Sequence, residues 1–327
     1  MKAWRAEDGS LRPHDVRDPE PGPDELLVAV EVCGVCRTDL HVVDGDLPVH
    51  RTGVVPGHQV VGRVVATGAA VVGSALGDRV GVAWLHRTCG VCRWCRTGRE
   101  NLCPTAQFTG WDVDGGYAER VLVPEAYAYP LPDGDEAVGL APLLCAGIIG
   151  YRALRRANLP PGGVLGIYGF GSSAHITAQL ALAAGNRVVT VTRGEENRRL
   201  AASLGVDVVP EEDGTPPEPL DSAIVFAPVG DLLVDALDAT TAGGTVVSAG
   251  IHMSPLTGLD YDRSLFRERD LRSVTANTRA DGMEFLALAR NLRLAPSVTE
   301  YRLDEADRAL ADLRSGRASG SLVLRVG

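Results

Sequence analysis

The chain has 327 residues, with 32 Lys plus Arg against 42 Asp plus Glu, and a net charge of -10. That length accommodates two domains, and the acidic balance argues against nucleic acid as a partner. No run reaches the roughly 18 apolar residues of a membrane helix.

The opening Met1-Lys2-Ala3-Trp4-Arg5-Ala6-Glu7-Asp8 turns acidic at once, unlike a secretory leader. A cytoplasmic, reducing setting is therefore expected for the seven cysteines. Up to about residue 140 the chain reads as short β-type runs broken by Gly and Pro: Leu26 to Val32, Val60 to Ala66, Arg79 to Ala83 and Tyr117 to Val123. This texture predicts an irregular, mostly antiparallel barrel. Between the first two runs stand Cys33-Gly34-Val35-Cys36-Arg37-Thr38-Asp39-Leu40-His41 and Pro56-Gly57-His58-Gln59. Cys33 itself reads as a small buried residue.

After the third run come Cys89, Cys92, Cys95 and Cys103, within a lobe of about residues 86–104. Two-residue gaps let three thiolates converge on one ion, and the longer arm closes a tetrahedron. Gly90 and Gly98 interrupt the run, and Arg87, Arg93, Arg96 and Arg99 flank it; nearby cations favour thiolates. An iron–sulfur run would close with a shorter final gap and need further cysteines for a second cluster. Disulfides suit neither the odd count nor the setting. A closed, structural zinc site is expected. Trp111 and Tyr117 flank Gly115-Gly116 as packing or pocket wall.

From about Pro160 the pattern becomes strand–helix alternation. Val164 to Tyr168 and Arg187 to Thr192 read as strands; Ala174 to Ala184 and Glu195 to Leu204 read as helices stopped by Gly185 and Gly205. Further strand-like runs lie at Val206 to Val209, Ala223 to Ala227, Thr245 to Ala249 and Leu271 to Thr275, with Pro210 to Pro219 as an exposed connection. Six strands with interleaved helices predict a doubly wound parallel sheet.

Its first crossover carries Gly169-Phe170-Gly171-Ser172-Ser173-Ala174, a G-x-G-x-x-A fingerprint between strand and helix. Gly169 permits the tight turn, and Gly171 lets a pyrophosphate approach the positive helix end. A dinucleotide is expected. The acid that grips the ribose of NAD is absent from the tip of the second strand, Thr190-Val191-Thr192-Arg193-Gly194-Glu195. Thr192 and Arg193 suit a 2'-phosphate, which tilts the reading to NADP, while Glu195 keeps NAD open. Loops at Ala227 and Ser248-Ala249-Gly250 end strands at the carboxyl edge, where ligands bind. His175 reads as a helix residue. Arg279 reads equally as a cofactor-phosphate contact or a solvated surface charge.

A catalytic zinc takes three protein ligands, and a two-cysteine, one-histidine set is among those known. Cys36, His58 and Cys145 can supply it, although they are scattered along the sequence. With the Gly34 to His41 segment, Gly57-His58, the four-cysteine lobe, Leu144-Cys145-Ala146-Gly147 and Gly169-Phe170-Gly171, the chain resembles the zinc-dependent medium-chain alcohol dehydrogenases over essentially its whole length.

The resemblance implies an α/β two-domain chain. A GroES-like β-barrel catalytic domain spans 1–140 and returns over 279–327, and a Rossmann doubly wound parallel sheet spans 141–278. Two zinc ions per chain are implied, catalytic at Cys36, His58 and Cys145 and structural at the four-cysteine lobe. Asp39 would bond the His58 ring, and Thr38 and His41 would relay the alcohol proton. Arg37 would lie on the cofactor pyrophosphate, and Trp84 would line the substrate pocket. Zinc acidifies the alcohol, and hydride passes to NAD or NADP, giving an aldehyde or ketone.

The family's glutamate after the ligand histidine is here Gln59, which removes one carboxylate invoked in exchange at the metal. The expected activity is oxidation of primary or simple secondary alcohols, or the reverse, by a homotetramer or homodimer. A quinone or enone reductase of the same superfamily is the alternative, although those relatives generally lack both metal sites. A non-catalytic nucleotide-binding scaffold would be marked by loss of an open-site ligand, and all three are present.

Overall fold

Apolar residues recur along Glu25–Val35, burying Leu26, Val28, Val30 and Val32, and this long strand is the spine of the N-terminal sheet. The computed structural model describes residues 1–210, 214–317 and 319–326. In chain order the first elements are β1 (Lys2–Glu7), β2 (Ser10–Asp15), β3 (Glu25–Val35), α1 (Arg37–Asp44), β4 (Val60–Thr67), β5 (Arg79–Val82), β6 (Leu85–Arg87), α2 (Arg93–Arg96), β7 (Gln107–Phe108), β8 (Arg120–Pro124), β9 (Ala128–Pro130) and α3 (Ala137–Leu140). There follow α4 (Ala146–Ala157), β10 (Val164–Tyr168), α5 (Ser172–Ala183), β11 (Arg187–Thr192), α6 (Glu195–Ser203), β12 (Asp207–Pro210), β13 (Leu220–Val225), α7 (Asp231–Ala239), β14 (Thr240–Ser248) and β15 (Asp270–Ser273). The last are α8 (Arg279–Leu292), β16 (Val298–Arg302), α9 (Ala306–Arg314) and β17 (Ser321–Arg325).

Contacts divide the chain into two units. The first holds Met1–Cys145, Ala276–Ala287 and the chain from Ser297 onward; the second holds Ala146–Thr275 and Leu288–Pro296. In the first, the strand order is β16-β17-β3-β4-β5-β9, with β8 also pairing β3. Every pairing there is antiparallel except β16 with β17. Its core gathers Leu26, Val28, Val60, Val64, Val82, Tyr117, Val121 and Leu324. The strand expected over Tyr117 to Val123 begins only at Arg120. The amides of Gly116 and Tyr117 go instead to the carbonyls of Gly57 and Pro56, at 2.9 Å each, which commits that stretch to the loop ahead of β4.

The second unit is an all-parallel sheet in the order β12-β11-β10-β13-β14-β15. Its central strand β10 is buried along its whole length because both faces are covered. Leu165, Ile167, Ile224 and Val247 pack in one core; Tyr168, Val189, Val225 and Val246 pack in another. β13 stops at Val225 because the amides of Phe226 and Ala227 both turn to the Tyr168 carbonyl. Of the connection expected over Pro210 to Pro219, residues 211–213 lie outside the described residues, and Pro216 is buried. Among the described residues no single helix is long and apolar enough to cross a membrane.

Candidate active site

The end of β3 turns into α1 at Cys36, the helix N-cap. The Cys36 sulfur accepts from Thr38 N at 3.5 Å, while Asp39 Oδ2 accepts from Cys36 N at 2.8 Å. This reciprocal cap faces Cys36 and Asp39 toward each other. His58 stands just before β4, and Cys145 ends the 3-10 turn Ala141–Leu144 ahead of α4. The ligand atoms of Cys36, His58 and Cys145 lie within 4.8 Å of one another. His58 Nε2 is 3.3 Å from Cys145 Sγ.

Asp39 is the hub. Its Oδ1 accepts from Gly57 N at 3.1 Å and lies 3.2 Å from His58 Nδ1, without the alignment of a full hydrogen bond. Gly57 has φ +98°, and a Cβ there would meet the Tyr117 ring at 2.5 Å, so only glycine fits beside His58.

Crowding sets the charges. A hydrogen bond from the Cys145 thiol, helped by His58, holds Cys36 well below the usual thiol range despite burial. The same bond, with burial, pushes Cys145 well above that range. Burial opposes charge on His58, but Asp39 and Cys36 outweigh it and raise the imidazole to about 10. Two sulfurs and an imidazole that cannot all shed protons alone are what a soft divalent cation would reconcile, and the shift at Cys36 favours the thiolate, its ligand form. The donor set fits zinc.

Thr38 Oγ1 lies 3.6 Å from the Cys36 sulfur. His41 is buried at the end of α1, with Nδ1 2.8 Å from Asp46 Oδ2. Arg37 is exposed at the first turn of α1. The Trp84 ring meets His58 edge-on at 4.7 Å and stacks on Phe108 and Trp111 at 5.1 and 5.8 Å. Trp111 also stacks on His50 at 3.9 Å and lines a cleft of about 560 Å³ with Val43, Leu47, Pro48 and Val49. Gln59 is buried, its amide folded over Gly34, where a Cβ would meet Gln59 Oε1 at 2.6 Å.

The four cysteines form the second cluster. Sulfur separations of 3.9 Å (Cys89–Cys95) and 3.5 Å (Cys92–Cys95) bracket the edge of about 3.8 Å of a tetrahedron with Zn–S near 2.3 Å. Amides of Cys92 and Cys89 donate to the Cys89 and Cys103 sulfurs at 3.3 and 3.5 Å. Against burial, bonds from the Cys89 amide and Thr105 bring Cys103 down to about 6. Within the lobe Arg93 and Arg99 lie over the Trp94 ring, at 4.1 and 4.6 Å, and Thr88 joins the lobe to the Tyr127 hydroxyl at 2.7 Å.

In the second unit, Gly169, Phe170, Gly171, Ser172, Thr192, Arg193 and Ala227 gather at the carboxyl ends of β10, β11 and β13. Gly169 has φ +85°, and a Cβ there would stand 3.0 Å from the Ala227 Cβ. A Cβ at Gly171 would meet open space at the N-cap of α5, a cradle with room for a phosphate. The Phe170 ring is buried in the core, so only its backbone faces that cradle. Glu195 is drawn along its own helix to Arg199 and Arg198, at 3.0 and 3.4 Å, which leaves Thr192 and exposed Arg193 at the strand tip. His175 is fully buried, with Nδ1 3.2 Å from the Gly171 carbonyl.

Arg279 takes a place that the sequence does not disclose. Its amide and Nε donate to Glu100 Oε1 at 2.9 and 3.4 Å, and its guanidinium lies 5.1 Å over Tyr127. Sequence reasoning passed over Glu100, Phe108, Asp46 and the bond from Tyr117 to Asp39. Asp46 alone had a local signal, five residues beyond His41 at the turn closing α1.

Residues 22–133 match the family model "Alcohol dehydrogenase GroES-like domain", and residues 174–291 match "Zinc-binding dehydrogenase". A "Probable alcohol dehydrogenase" of Mycobacterium tuberculosis is 54% identical, with 100% of this chain and 97% of the relative covered. Among solved structures, an acetophenone reductase from Geotrichum candidum in complex with NAD superposes with a TM-score of 0.89 at 29% identity, covering 99% of this chain and 96% of that one. A cobalt- and zinc-bound thermostable alcohol dehydrogenase from Pyrobaculum aerophilum gives 0.90 at 26% identity, covering 99% of both.

Proposed function

The chain belongs to the zinc-type medium-chain dehydrogenase/reductase family as an NAD(P)-dependent alcohol dehydrogenase, and we propose that it interconverts primary or simple secondary alcohols with their aldehydes or ketones. The observation that carries this reading is the convergence of Cys36, His58 and Cys145 within 4.8 Å, with the Thr38 hydroxyl beside Cys36. When bound, zinc supplies Lewis acidity and the nicotinamide supplies the hydride acceptor.

The chain's own residues do the rest. Thr38 accepts the alcohol proton while giving up its own hydroxyl proton, and His41, held by Asp46, passes a proton toward solvent. Asp39 orients His58. Arg37 binds the cofactor pyrophosphate. Gly169 to Ser172 and Ala227 cradle the dinucleotide, and Thr192 with Arg193 receives a 2'-phosphate. With Glu195 occupied by its own helix, NADP is the preferred cofactor. Trp84 and Phe108 form an aromatic wall that limits bulk at the reacting carbon. The four-cysteine zinc builds structure only. All seven cysteines are free thiols, which fits a cytoplasmic setting. The edge strand β15, which carries exposed Leu271 and follows exposed Tyr261 and Phe266, supports a homodimer or homotetramer.

Metal analysis combined with turnover on an alcohol series tests the reading. The protein should hold two zincs per chain and oxidise small alcohols with higher kcat/KM for NADP than for NAD. Cys36→Ser should keep the fold and one zinc and lose activity. Retained activity in that variant would overturn the assigned site.

A further inference from the structure

Tyr117 takes no part in the chemistry above, yet it is fully buried and its hydroxyl donates to Asp39 Oδ2 at 3.1 Å. The same oxygen accepts from Cys36 N at 2.8 Å, while Oδ1 accepts from Gly57 N and faces His58 Nδ1. With two donors fixed on Oδ2, the carboxylate plane is set, and Oδ1 is left for the residue pair Gly57-His58. The backbone on either side is laced together: Gly115 N donates to Val55 O at 2.7 Å, and Gly116 N and Tyr117 N donate to Gly57 O and Pro56 O at 2.9 Å each. The Tyr117 ring also fills the space that a side chain at position 57 would need. Tyr117 therefore packs its ring beside Gly57, the residue before the histidine, and touches the histidine's carboxylate partner with its hydroxyl.

A buried tyrosine needs some acceptor for its hydroxyl. A packing role would be served by any carbonyl, whereas this hydroxyl reaches the single carboxylate that faces a metal-ligand imidazole. Hydrogen bonds to a charged, buried carboxylate are the strong ones, and groups that orient a ligand histidine carry metal affinity. We propose that Tyr117 is a positioning residue of the three-ligand metal site, acting through Asp39 on the orientation of His58. This rests on the zinc reading of Cys36, His58 and Cys145.

The test uses the zinc-loaded protein and Tyr117→Phe, which removes only the hydroxyl. Competition with a chromogenic chelator resolves the two zincs, and the cobalt-substituted protein reports the geometry at the three-ligand site. The variant should bind zinc there about 10-fold more weakly, with altered cobalt bands, and should keep the four-cysteine zinc and its circular dichroism. In an Asp39→Asn background the same change should cost at most about twofold more, because the path through Asp39 is already cut. Unchanged affinity and cobalt bands overturn the inference. So does an undiminished loss in the Asp39→Asn background, or joint loss of both zincs with unfolding, since either marks packing alone. A single zinc in the unmodified protein would instead overturn the site reading, and the inference with it.

Discussion

The nucleotide unit carries an acid-sensitive group at its ligand-binding end. Burial, against bonds to the Gly171 and Ser172 backbone, lowers His175 from 6.5 to about 4. Its pKa is depressed in the folded state, so the unfolded chain takes up the proton first as pH falls. The unit should therefore lose stability from about pH 6.5 down to about 4 and no more from this group below that. Weighting both protonation states, the loss between pH 7 and pH 4.5 is about 2.5 kcal/mol. That is a large fraction of a domain's stability of about 5–15 kcal/mol.

His175→Asn keeps an amide donor where Nδ1 meets Gly171 and abolishes the titration. Its stability at pH 7 should be lower, but its further fall to pH 4.5 should be smaller than that of the unmodified protein by about 2.5 kcal/mol. Tryptophan fluorescence cannot read this, because Trp4, Trp84, Trp94 and Trp111 all lie in the other unit. Hydrogen exchange followed by mass spectrometry on residues 172–183 reports the correct unit. Carboxylates titrate in the same window, so the quantity compared is the difference between the two proteins. Equal pH slopes would refute the assignment of a buried neutral His175.

Glu100→Ala removes the acceptor of two bonds from Arg279 and leaves a charge without its partner. It should destabilise the first unit by about 2–3 kcal/mol, read as a shift in the urea midpoint by tryptophan fluorescence. If Arg279 is spent on Glu100, Arg279→Ala should lower stability to a similar degree with KM for the cofactor unchanged; a raised KM would restore the phosphate contact. Gln59→Glu places a carboxylate in a buried position one residue from His58. Turnover should change several-fold with two zincs retained, and unaltered turnover would remove position 59 from the chemistry.

The elements most legible in the sequence were those whose signal is local. Val164 to Tyr168 is an apolar run bounded by glycines and Arg187 to Thr192 is mostly Val and Thr, and the strands occupy those spans. The four cysteines declare a common ion by spacing alone. Cys36, His58 and Cys145 do not, because β3, the loop before β4 and the turn before α4 meet only through the fold; resemblance, not spacing, linked them. Contacts such as Tyr117 with Asp39 or Arg279 with Glu100 join residues 78 and 179 positions apart. Nothing in the local pattern around Arg279 separates a phosphate-binding arginine from one docked on a buried acid. The missed start of the strand at Tyr117 has the same origin: the amides of Gly116 and Tyr117 are claimed by the backbone at Gly57 and Pro56, and that of Glu119 by the Lys2 carbonyl.

The two cysteine clusters divide the work of a metal differently. The four-cysteine lobe has Cys89 exposed and Trp94 only half-buried beneath its two arginines, so an ion closing the four sulfurs would fix its shape. The three-ligand site is built from strand end, helix cap and buried turn, and Asp39 ties two of its ligand-bearing segments together before any ion arrives. Its order comes from the hydrophobic core around Tyr117 and Val60. Were zinc held there, side chains already fixed by the protein would keep their positions with or without it, and metal binding would not have to fold the site.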